Sequence, residues 1–301
     1  MKSAVVVGSL NLDYSIALQR MPQPGETIAA DSLTLNPGGK GANQAYALGR
    51  LGCQTAMIGA VGRDGAGDTL IRNLQSAGVD CSGVLRREEP TGQAFITVDK
   101  QGENSIIILH GANYTLTPAD IEEKRALIEA ADCLVMQLEV PMETVLAAAK
   151  LARAAGKTVV LDPAPAPGPL PEELLRLCDF IKPNETELSL LTGMPAGSRE
   201  ECEAAAKTLL QKGVGTVLVS LGAKGALAVT PHGSVLMPPP KVKAVDSTSA
   251  GDCFTAAFVS HWDGGLEPAL RYANAAAAIA VSRRGAQASI PSAAEVEDFI
   301  Q

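Results

Sequence analysis

The stretch Asp246-Ser247-Thr248-Ser249-Ala250-Gly251-Asp252, near the end of the sequence, decides how the rest of the chain is interpreted. It follows Val242-Lys243-Ala244-Val245, predicted to be extended, and leads into the small and apolar residues 253–259, predicted to be helical. A helix N-terminus presents unpaired backbone N–H groups and a partial positive charge, and so attracts anions. Because Ala250 and Gly251 are small, a phosphate could approach this backbone closely.

Asp252 falls in the first turn of this predicted helix. Its carboxylate could accept a proton from an attacking hydroxyl while the backbone N–H groups hold phosphoryl oxygens, and phosphoryl transfer requires that combination. Asp and Ser are also ordinary residues at the start of a helix, where they cap it and favour its dipole. On these residues alone, a catalytic and a structural interpretation both stay open.

Length, composition and charge narrow the class of protein. With 301 residues and 46% hydrophobic content, the chain can form one large domain or two small ones. Its net charge of −8, without a basic block, argues against nucleic acid and anionic membranes as partners. Aromatic residues make up only 3%, which argues against a platform for stacked bases. A kinase of small metabolites is compatible with all three observations.

Cysteine usage and hydropathy indicate a cytoplasmic protein. The cysteines form no C-x-x-C pair, so we expect buried thiols in a reducing compartment; they are Cys53, Cys81, Cys133, Cys178, Cys202 and Cys253. The first strand is predicted over residues 2–10, and its apolar run is too short for a signal peptide. Residues 275–281 fall far below the ~20 apolar residues that a membrane span needs.

Strands alternate with helices of 10 to 15 residues from residue 119 onward, which predicts a doubly wound parallel sheet. Two stretches break this rhythm: residues 15–35, with prolines and short alternating runs, and the hairpin over residues 93–109. We expect them to pair into one small sheet over the site. The chain is therefore predicted as a single α/β domain, 1–301, with a lid inserted at 13–37 and 91–110.

A second glycine-rich stretch, Asn36-Pro37-Gly38-Gly39-Lys40-Gly41-Ala42-Asn43-Gln44, opens an alanine-rich helix. It is a candidate anion or polyol site, although it lacks the Walker A spacing and, alone, is more typical of a structural turn. Ligands of doubly wound sheets bind at the carboxyl ends of the strands. Polar groups recur at those ends, namely Asn11, Asp13, Glu139, Asn184, Glu187, 222–225 and 246–252.

Gly38-Gly39-Lys40-Gly41-Ala42-Asn43 and the stretch 246–252 closely resemble the two signatures of the ribokinase (PfkB) family of carbohydrate kinases. Residues 8–13, 136–139, 182–187 and 284–287 are also similar to segments of that family, so the resemblance covers nearly the whole chain. It implies a ribokinase-like fold, with helices on both faces of a mostly parallel sheet and a small β-sheet lid. It also implies ATP-dependent phosphorylation of D-ribose at the 5-hydroxyl, with Mg²⁺, a monovalent cation such as K⁺, and a homodimer formed through the lid.

The resemblance assigns roles to individual residues. Asp252 matches the catalytic base, and the backbone of Ser249, Ala250 and Gly251 matches the anion hole. The sugar-binding positions match Asn11, Asp13, Gly39, Lys40, Gly41, Asn43 and Glu139. The ATP-binding positions, with Asn184 and Glu187 organising phosphate and Mg²⁺, match Asn184, Glu187, Ser220, Leu221, Gly222, Ala223, Lys224, Gly225, Gly251 and Asn274. The monovalent-cation ligands match Asp246, Thr248, Ala280, Arg283, Gly285 and Ser289.

The chain departs from the family pattern at a few positions without losing a catalytic group. Ser247 and Ser249 replace the commoner Thr or Ile and Ala, and Cys253 and Asn274 stand where Thr and His are frequent. Alternative acceptors are 2-deoxyribose, a ketohexose, or a nucleoside such as adenosine. Phe95 could stack on a base, but we expect it to pack within the lid.

Two other classes of protein share features with this sequence. A non-catalytic sugar sensor could use the same fold, although the intact Asp252 argues against it. A dehydrogenase of the Rossmann type is disfavoured, because Gly8-Ser9-Leu10 lacks the full G-x-G-x-x-G pattern.

Overall fold

Short runs of aliphatic residues form the strands of the protein. In the computed structural model, which describes residues 3–301, the strands are β1 Ser3–Val7, β2 Asn11–Ala17, β3 Ser32–Gly38, β4 Gln54–Gly62, β5 Asp80–Arg87, β6 Gly92–Val98, β7 Asn104–Leu109, β8 Cys133–Met136, β9 Thr158–Leu161, β10 Phe180–Ile181, β11 Thr216–Ser220, β12 Ala226–Thr230 and β13 Gly233–Met237. The predicted first strand extends to Lys2, which lies outside the described residues.

Nine of these strands form one large sheet in the order β13-β12-β11-β10-β9-β8-β1-β4-β5. Neighbours from β5 across to β11 pair in parallel, whereas β12 and β13 add an antiparallel edge. The parallel strands therefore end at the same edge, where the loops that carry the candidate site begin.

The helices cover both faces of the large sheet. They are α1 Lys40–Arg50, α2 Gly65–Ser76, α3 Pro118–Glu123, α4 Arg125–Ala130, α5 Met142–Ala154, α6 Glu172–Leu177, α7 Glu185–Thr192, α8 Arg199–Gln211, α9 Ala250–His261, α10 Leu266–Val281 and α11 Ala293–Ile300. Side chains of β1 alternate between two buried cores: Ala4 and Val6 pack with α1, α2, α9, α10 and α11, and Val5 and Val7 pack with α3 to α8. The predicted doubly wound architecture is confirmed.

The remaining four strands form a second sheet in the order β3-β2-β6-β7. β2 pairs antiparallel with β3 and parallel with β6, and β6 pairs antiparallel with β7. The two irregular stretches of the sequence therefore do combine into one small sheet, as predicted. It projects from the large sheet at the end of β1, because only residues 8–10 separate β1 from β2.

Some elements differ from the prediction. Residues 242–245 form no strand, and their recorded backbone tie is Val245 N donating to Val281 O at 2.7 Å. β5 and β13 were not anticipated: β5 carries several polar side chains, and β13 is only five residues long at the edge of the sheet. Five cysteines are buried and Cys81 is half-buried, which fits the expectation of buried thiols. Across residues 3–301, we find no helix with the length and apolar character of a membrane span.

Candidate active site

Asp252 lies buried in the first turn of α9, held by two amide side chains of α1. Asn43 Nδ2 donates to Asp252 Oδ2 at 3.0 Å, and Gln44 Nε2 donates to Oδ1 at 3.0 Å. Asn43 Nδ2 also donates to Ser249 Oγ at 2.9 Å. The two glycine-containing stretches of the sequence therefore meet at this carboxylate and fix its orientation.

The turn before α9 has an uncommon backbone. Ser249, at the N-cap position, has φ +58°, in the left-handed region that non-glycine residues rarely adopt. Ala250 N–H donates to Ser247 O at 3.2 Å, and Cys253 N–H donates to Ser249 O at 2.8 Å. Within residues 3–301, the N–H groups of Gly251 and Asp252 have no recorded partner, so this turn offers them to an anion.

The carboxylate of Asp252 sits in a strongly charged environment. Burial raises its pKa, although Lys40 acts in the opposite direction. Burial alone would lower the pKa of Lys40, but the nearby carboxylates, led by Asp252 and Asp162, raise it above its usual value. Lys40 is therefore a permanent positive charge beside a carboxylate whose proton affinity is increased.

Glycines let the start of α1 lie against the end of β1. Gly39 has φ +88°, and a β-carbon there would stand 2.7 Å from the backbone nitrogen of Asn11. A β-carbon on Gly41 would stand 2.6 Å from the backbone of Gly8 and Ser9. These contacts explain the glycines of the first signature by close backbone approach rather than by ligand binding alone.

Glu139 approaches the same helix start from the loop after β8. It is buried, and Lys40 N–H donates to Glu139 Oε2 at 3.0 Å. Ser9 Oγ makes a very short hydrogen bond with the same oxygen. Glu139 is thereby fixed at the positive end of α1.

Asn11 and Asp13 project from β2 at the base of the second sheet. Asn11 is buried, and its Oδ1 accepts from Asn113 Nδ2 at 2.8 Å, which leaves the Asn11 amide nitrogen as a donor. Burial, followed by the charges of Glu139 and Asp252, raises the pKa of Asp13 to about 7. These groups form a cluster of hydrogen-bond donors and acceptors that suits hydroxyl groups.

Next to Asp252 lies a buried ion pair from the ends of β9 and β10. Lys182 Nζ is 3.0 Å from Asp162 Oδ2, and their side chains are 5% and 1% exposed. Gln44 Nε2, which donates to Asp252, also donates to Asp162 Oδ2 at 2.9 Å. The pair is therefore connected to Asp252 through one amide group.

The predicted ATP-binding residues gather at the neighbouring strand ends. Asn184 and Glu187 form a reciprocal capping box at α7, with Glu187 N–H donating to Asn184 Oδ1 at 2.7 Å and Asn184 N–H to Glu187 Oε2 at 2.8 Å. The backbone of Asn184 also forms an isolated parallel β-bridge with Ser220 at the end of β11. A single 3₁₀ turn at 222–224 follows. From this turn, Lys224 Nζ forms an ion pair with Glu185 Oε1 at 3.3 Å. Leu221, Gly222, Ala223 and Gly225 belong to this loop.

Asn274 is buried on α10 and does not face open space. Its Nδ2 donates to Met237 O at 2.9 Å, which ties α10 to the end of β13. A β-carbon on Gly225 would stand 2.1 Å from the same carbonyl oxygen. Asn274 therefore supports the 220–225 loop from behind in this structure.

The predicted monovalent-cation residues join two loops. Asp246 Oδ1 accepts from Thr248 N and Oγ1 at 2.9 and 2.6 Å, and its Oδ2 accepts from Gly285 N at 2.9 Å. Burial tends to raise the pKa of Asp246, but the hydrogen bonds from Thr248 and Gly285 lower it overall. Both oxygens are thus occupied by the loop that they hold.

The other three predicted cation ligands make local contacts. Arg283 N–H donates to Ala280 O at 3.1 Å, and Ser289 Oγ donates to Ala286 O at 2.8 Å. The Arg283 guanidinium forms an ion pair with Glu295, with 2.7 Å between Nη2 and Oε1.

Several site residues were missed by reasoning from the sequence: Ser9, Gln44, Asn113, Asp162, Lys182 and Gln287. Asp162 and Lys182 directly follow strands, so the strand-end rule could have identified both. Gln287 Nε2 donates to Asn43 Oδ1 at 3.0 Å across 244 positions of sequence, and no local pattern predicts such a contact.

Among residues 3–301, no group of three or more acidic, histidine or cysteine side chains could by itself hold a metal ion. Mg²⁺ in phosphoryl-transfer sites is held mainly by substrate phosphates and water, with only one or two carboxylates. Asp162 Oδ1 is buried without a hydrogen-bond partner within the described residues, and Glu187 lies at the neighbouring strand end. These residues are therefore compatible with such an ion.

A doubly wound sheet carries a buried aspartate at a helix N-terminus, beside side chains suited to binding hydroxyl groups. This arrangement is expected of a carbohydrate phosphotransferase. The profile of the pfkB family carbohydrate kinases matches residues 1–293. The chain is 40% identical over 303 residues to a ribokinase of Haemophilus influenzae, covering 100% of this chain and 99% of that protein. The chain belongs to the pfkB family of carbohydrate kinases.

Two further comparisons bear on the acceptor. A deoxyribokinase of Salmonella typhimurium is 38% identical over 298 residues, covering 98% of this chain and 97% of that protein. The structure of Arabidopsis thaliana ribokinase, complexed with ribose and ATP, superposes with a TM-score of 0.95 at 36% identity, covering 100% of this chain and 99% of that one.

Proposed function

We propose that the protein phosphorylates D-ribose at its 5-hydroxyl with ATP as the phosphoryl donor. The observation that carries this proposal is the buried Asp252 carboxylate, oriented by Asn43 and Gln44 at the start of α9. The family membership and the full-length similarity to ribokinases support it. Asn11, Asp13 and Glu139 supply the hydroxyl-binding groups.

The reaction follows from this arrangement. The sugar hydroxyl oxygen attacks the γ-phosphorus of ATP, the bond between that phosphorus and the bridging oxygen of ADP breaks, and the hydroxyl proton passes to Asp252. In such transfers the phosphoryl group loosens before the proton leaves, so a carboxylate suffices as the base. The raised pKa of Asp252 improves its match to this task. Gly251 N–H and Lys40 neutralise the developing charge, and Mg²⁺, when bound, would supply further charge to the phosphates.

The second sheet supports a small sugar over a nucleoside. Phe95 stacks on Tyr14 with ring centroids 5.0 Å apart, as expected for packing within this sheet. Tyr14 points to the face opposite Asp13, because side chains alternate along β2. Phe95 is therefore unable to stack on a base bound beside Asp13.

We further propose a monovalent cation, a lid, a homodimer and a cytoplasmic location. The loops at Asp246 and Gly285, which the Asp246 carboxylate holds together, would bind a monovalent cation such as K⁺ largely through backbone carbonyl oxygens. The second sheet would act as the lid over the sugar, with the insertion at 13–37 and 91–110, and its outer face would join two copies into a homodimer. The cytoplasm remains the predicted location.

A coupled assay of ADP release with Mg-ATP and K⁺ tests the function, with D-ribose, 2-deoxyribose, fructose and adenosine as acceptors. We expect the highest kcat/KM with ribose. Asp252→Asn, which keeps the shape of the side chain, should fold normally and reduce kcat by roughly 10³-fold or more, in the range of losses for essential acid–base groups. A near-wild-type kcat in this variant would refute the assigned base. Preference for 2-deoxyribose would replace the acceptor and leave the mechanism intact.

A further inference from the structure

We propose that Lys182 is a catalytic residue that binds the transferred γ-phosphoryl group, and not only the partner of Asp162. The proposal rests on the function proposed above, and it adds a second lysine to the site beside Lys40. The two sequence signatures do not include Lys182, because it lies in the loop after β10, far from both along the sequence.

The position of the ammonium group carries this inference. A β-carbon on Gly251 would stand 3.2 Å from Lys182 Nζ, so the ammonium borders the space above the first turn of α9. Gly251 N–H has no recorded partner within the described residues and opens toward the start of the helix. Two donors, one of them fully charged, therefore border the space beside Asp252 where a phosphoryl oxygen would be bound.

The ion pair with Asp162 leaves Lys182 with unused hydrogen-bonding capacity. An ammonium group has three N–H donors, and Asp162 Oδ2 accounts for one of them. Residue 182 is 4% exposed, so solvent satisfies the other two poorly. A bound phosphoryl oxygen would satisfy this buried donor.

A purely structural ion pair would not need this placement. Buried pairs are often no better for stability than apolar residues of similar volume, because desolvation offsets their attraction. Here Gln44 donates hydrogen bonds to both Asp162 and Asp252, so the ion pair lies next to the catalytic carboxylate. Lys182, which faces the start of α9, can bind the transferred phosphoryl group, while Asp162 fixes its ammonium group in position.

The first measurement is the affinity for Mg-ATP and Mg-ADP, by calorimetry without any sugar. Lys182→Met should weaken ATP binding about tenfold or more and change ADP binding less than threefold, because only ATP carries the γ-phosphate. In turnover assays it should lower kcat roughly 10²-fold and change the sugar KM little. Lys150→Met, which removes an exposed ion pair with Glu173, should match the wild type in both measurements.

A double variant separates binding of phosphate from a structural role. Lys182→Met alone leaves Asp162 buried and unpaired, and this could unfold the protein, whereas Asp162→Asn/Lys182→Met keeps the pair neutral. Asp162→Asn alone is the reference, because it reports any contribution of Asp162 to Mg²⁺ binding. If Lys182 binds the phosphoryl group, the double variant loses at least about tenfold more ATP affinity than Asp162→Asn and has a lower kcat. A double variant that matches Asp162→Asn in ATP affinity and kcat would overturn the proposal. Because calorimetry needs no sugar, failure of the ribose assignment would leave this result interpretable.

Discussion

Asp13 is a side chain whose charge should alter stability with pH. Its pKa in the folded protein is about 7, against about 4 in an unfolded chain. Between these values the folded state binds more protons than the unfolded state, so stability falls as pH rises from 4 to 7. Asp13→Asn removes this effect and should therefore gain stability relative to wild type, by up to about 4 kcal/mol at pH 8.

Chemical denaturation of the wild type and Asp13→Asn at pH 5 and pH 8 measures this effect. The stability difference should shift in favour of the variant at the higher pH. Asp298→Asn, at an exposed carboxylate of α11, is the matched control and should show no such shift. An equal difference between wild type and Asp13→Asn at both pH values would contradict the raised pKa.

Individual site residues could be predicted from the sequence where a local pattern marks them. Asp252 and Asn43 lie at the starts of predicted helices, next to small residues, and the structure brings them to hydrogen-bonding distance. Gln44 and Asn113 resemble ordinary polar residues in the sequence. Their importance comes from long-range partners, and only the packed chain reveals those.

The approach of α1 to the end of β1 depends on Gly39, and substitution there gives the second prediction. Gly39→Ala would place a β-carbon 2.7 Å from Asn11 N at a positive φ. Strain and overlap together should lower the free energy of unfolding by about 3 kcal/mol or more. The sugar KM should also rise, because the displaced backbone carries Asn11.

Gly52→Ala is the control for that experiment. Gly52 has a similar φ of +80°, but no atom lies within 4 Å of its β-carbon position. This variant should lose only about 1 kcal/mol, from backbone strain. Thermal and denaturant unfolding of both variants gives the comparison, and similar losses in the two would remove the argument from close approach.

Helices and strands could be predicted from the sequence where the periodicity of hydrophobic residues was strong. The parallel strands and their helices were predicted because each is a continuous apolar or amphipathic run. The segment 242–245, predicted to be extended, forms no paired strand, since it has no neighbouring strand partner. β13 and α11 were missed because both are short, five and eight residues, and give little periodic pattern.

At the level of the whole molecule, the site lies where distant parts of the chain converge. Asn43 and Asp252 are 209 positions apart, and the core on one face of the large sheet holds α1 and α9 in contact. The sequence indicated which strand ends contribute polar groups. It did not fix their relative positions, because these depend on the packing of helices that no local pattern specifies.

The outer face of the second sheet gives the last prediction. Leu33, Leu35 and Ile107 are 59%, 52% and 64% exposed, and the pairing register aligns Leu35 and Ile107 with Tyr14 and Phe95 on one face. A contiguous apolar face of this kind is typical of an interface. A second copy of the chain is the proposed partner, because two such faces can cover each other by symmetry.

Light scattering after size exclusion should give a mass of twice 31.0 kDa for the wild type. Leu35→Asp/Ile107→Asp should give the single mass, because burying two carboxylates in the interface is strongly unfavourable. Leu190→Asp, at a residue of α7 that is 50% exposed and outside this sheet, should remain dimeric. A monomeric wild type would refute the homodimer. A dimer that persists in the double variant would move the interface to another surface.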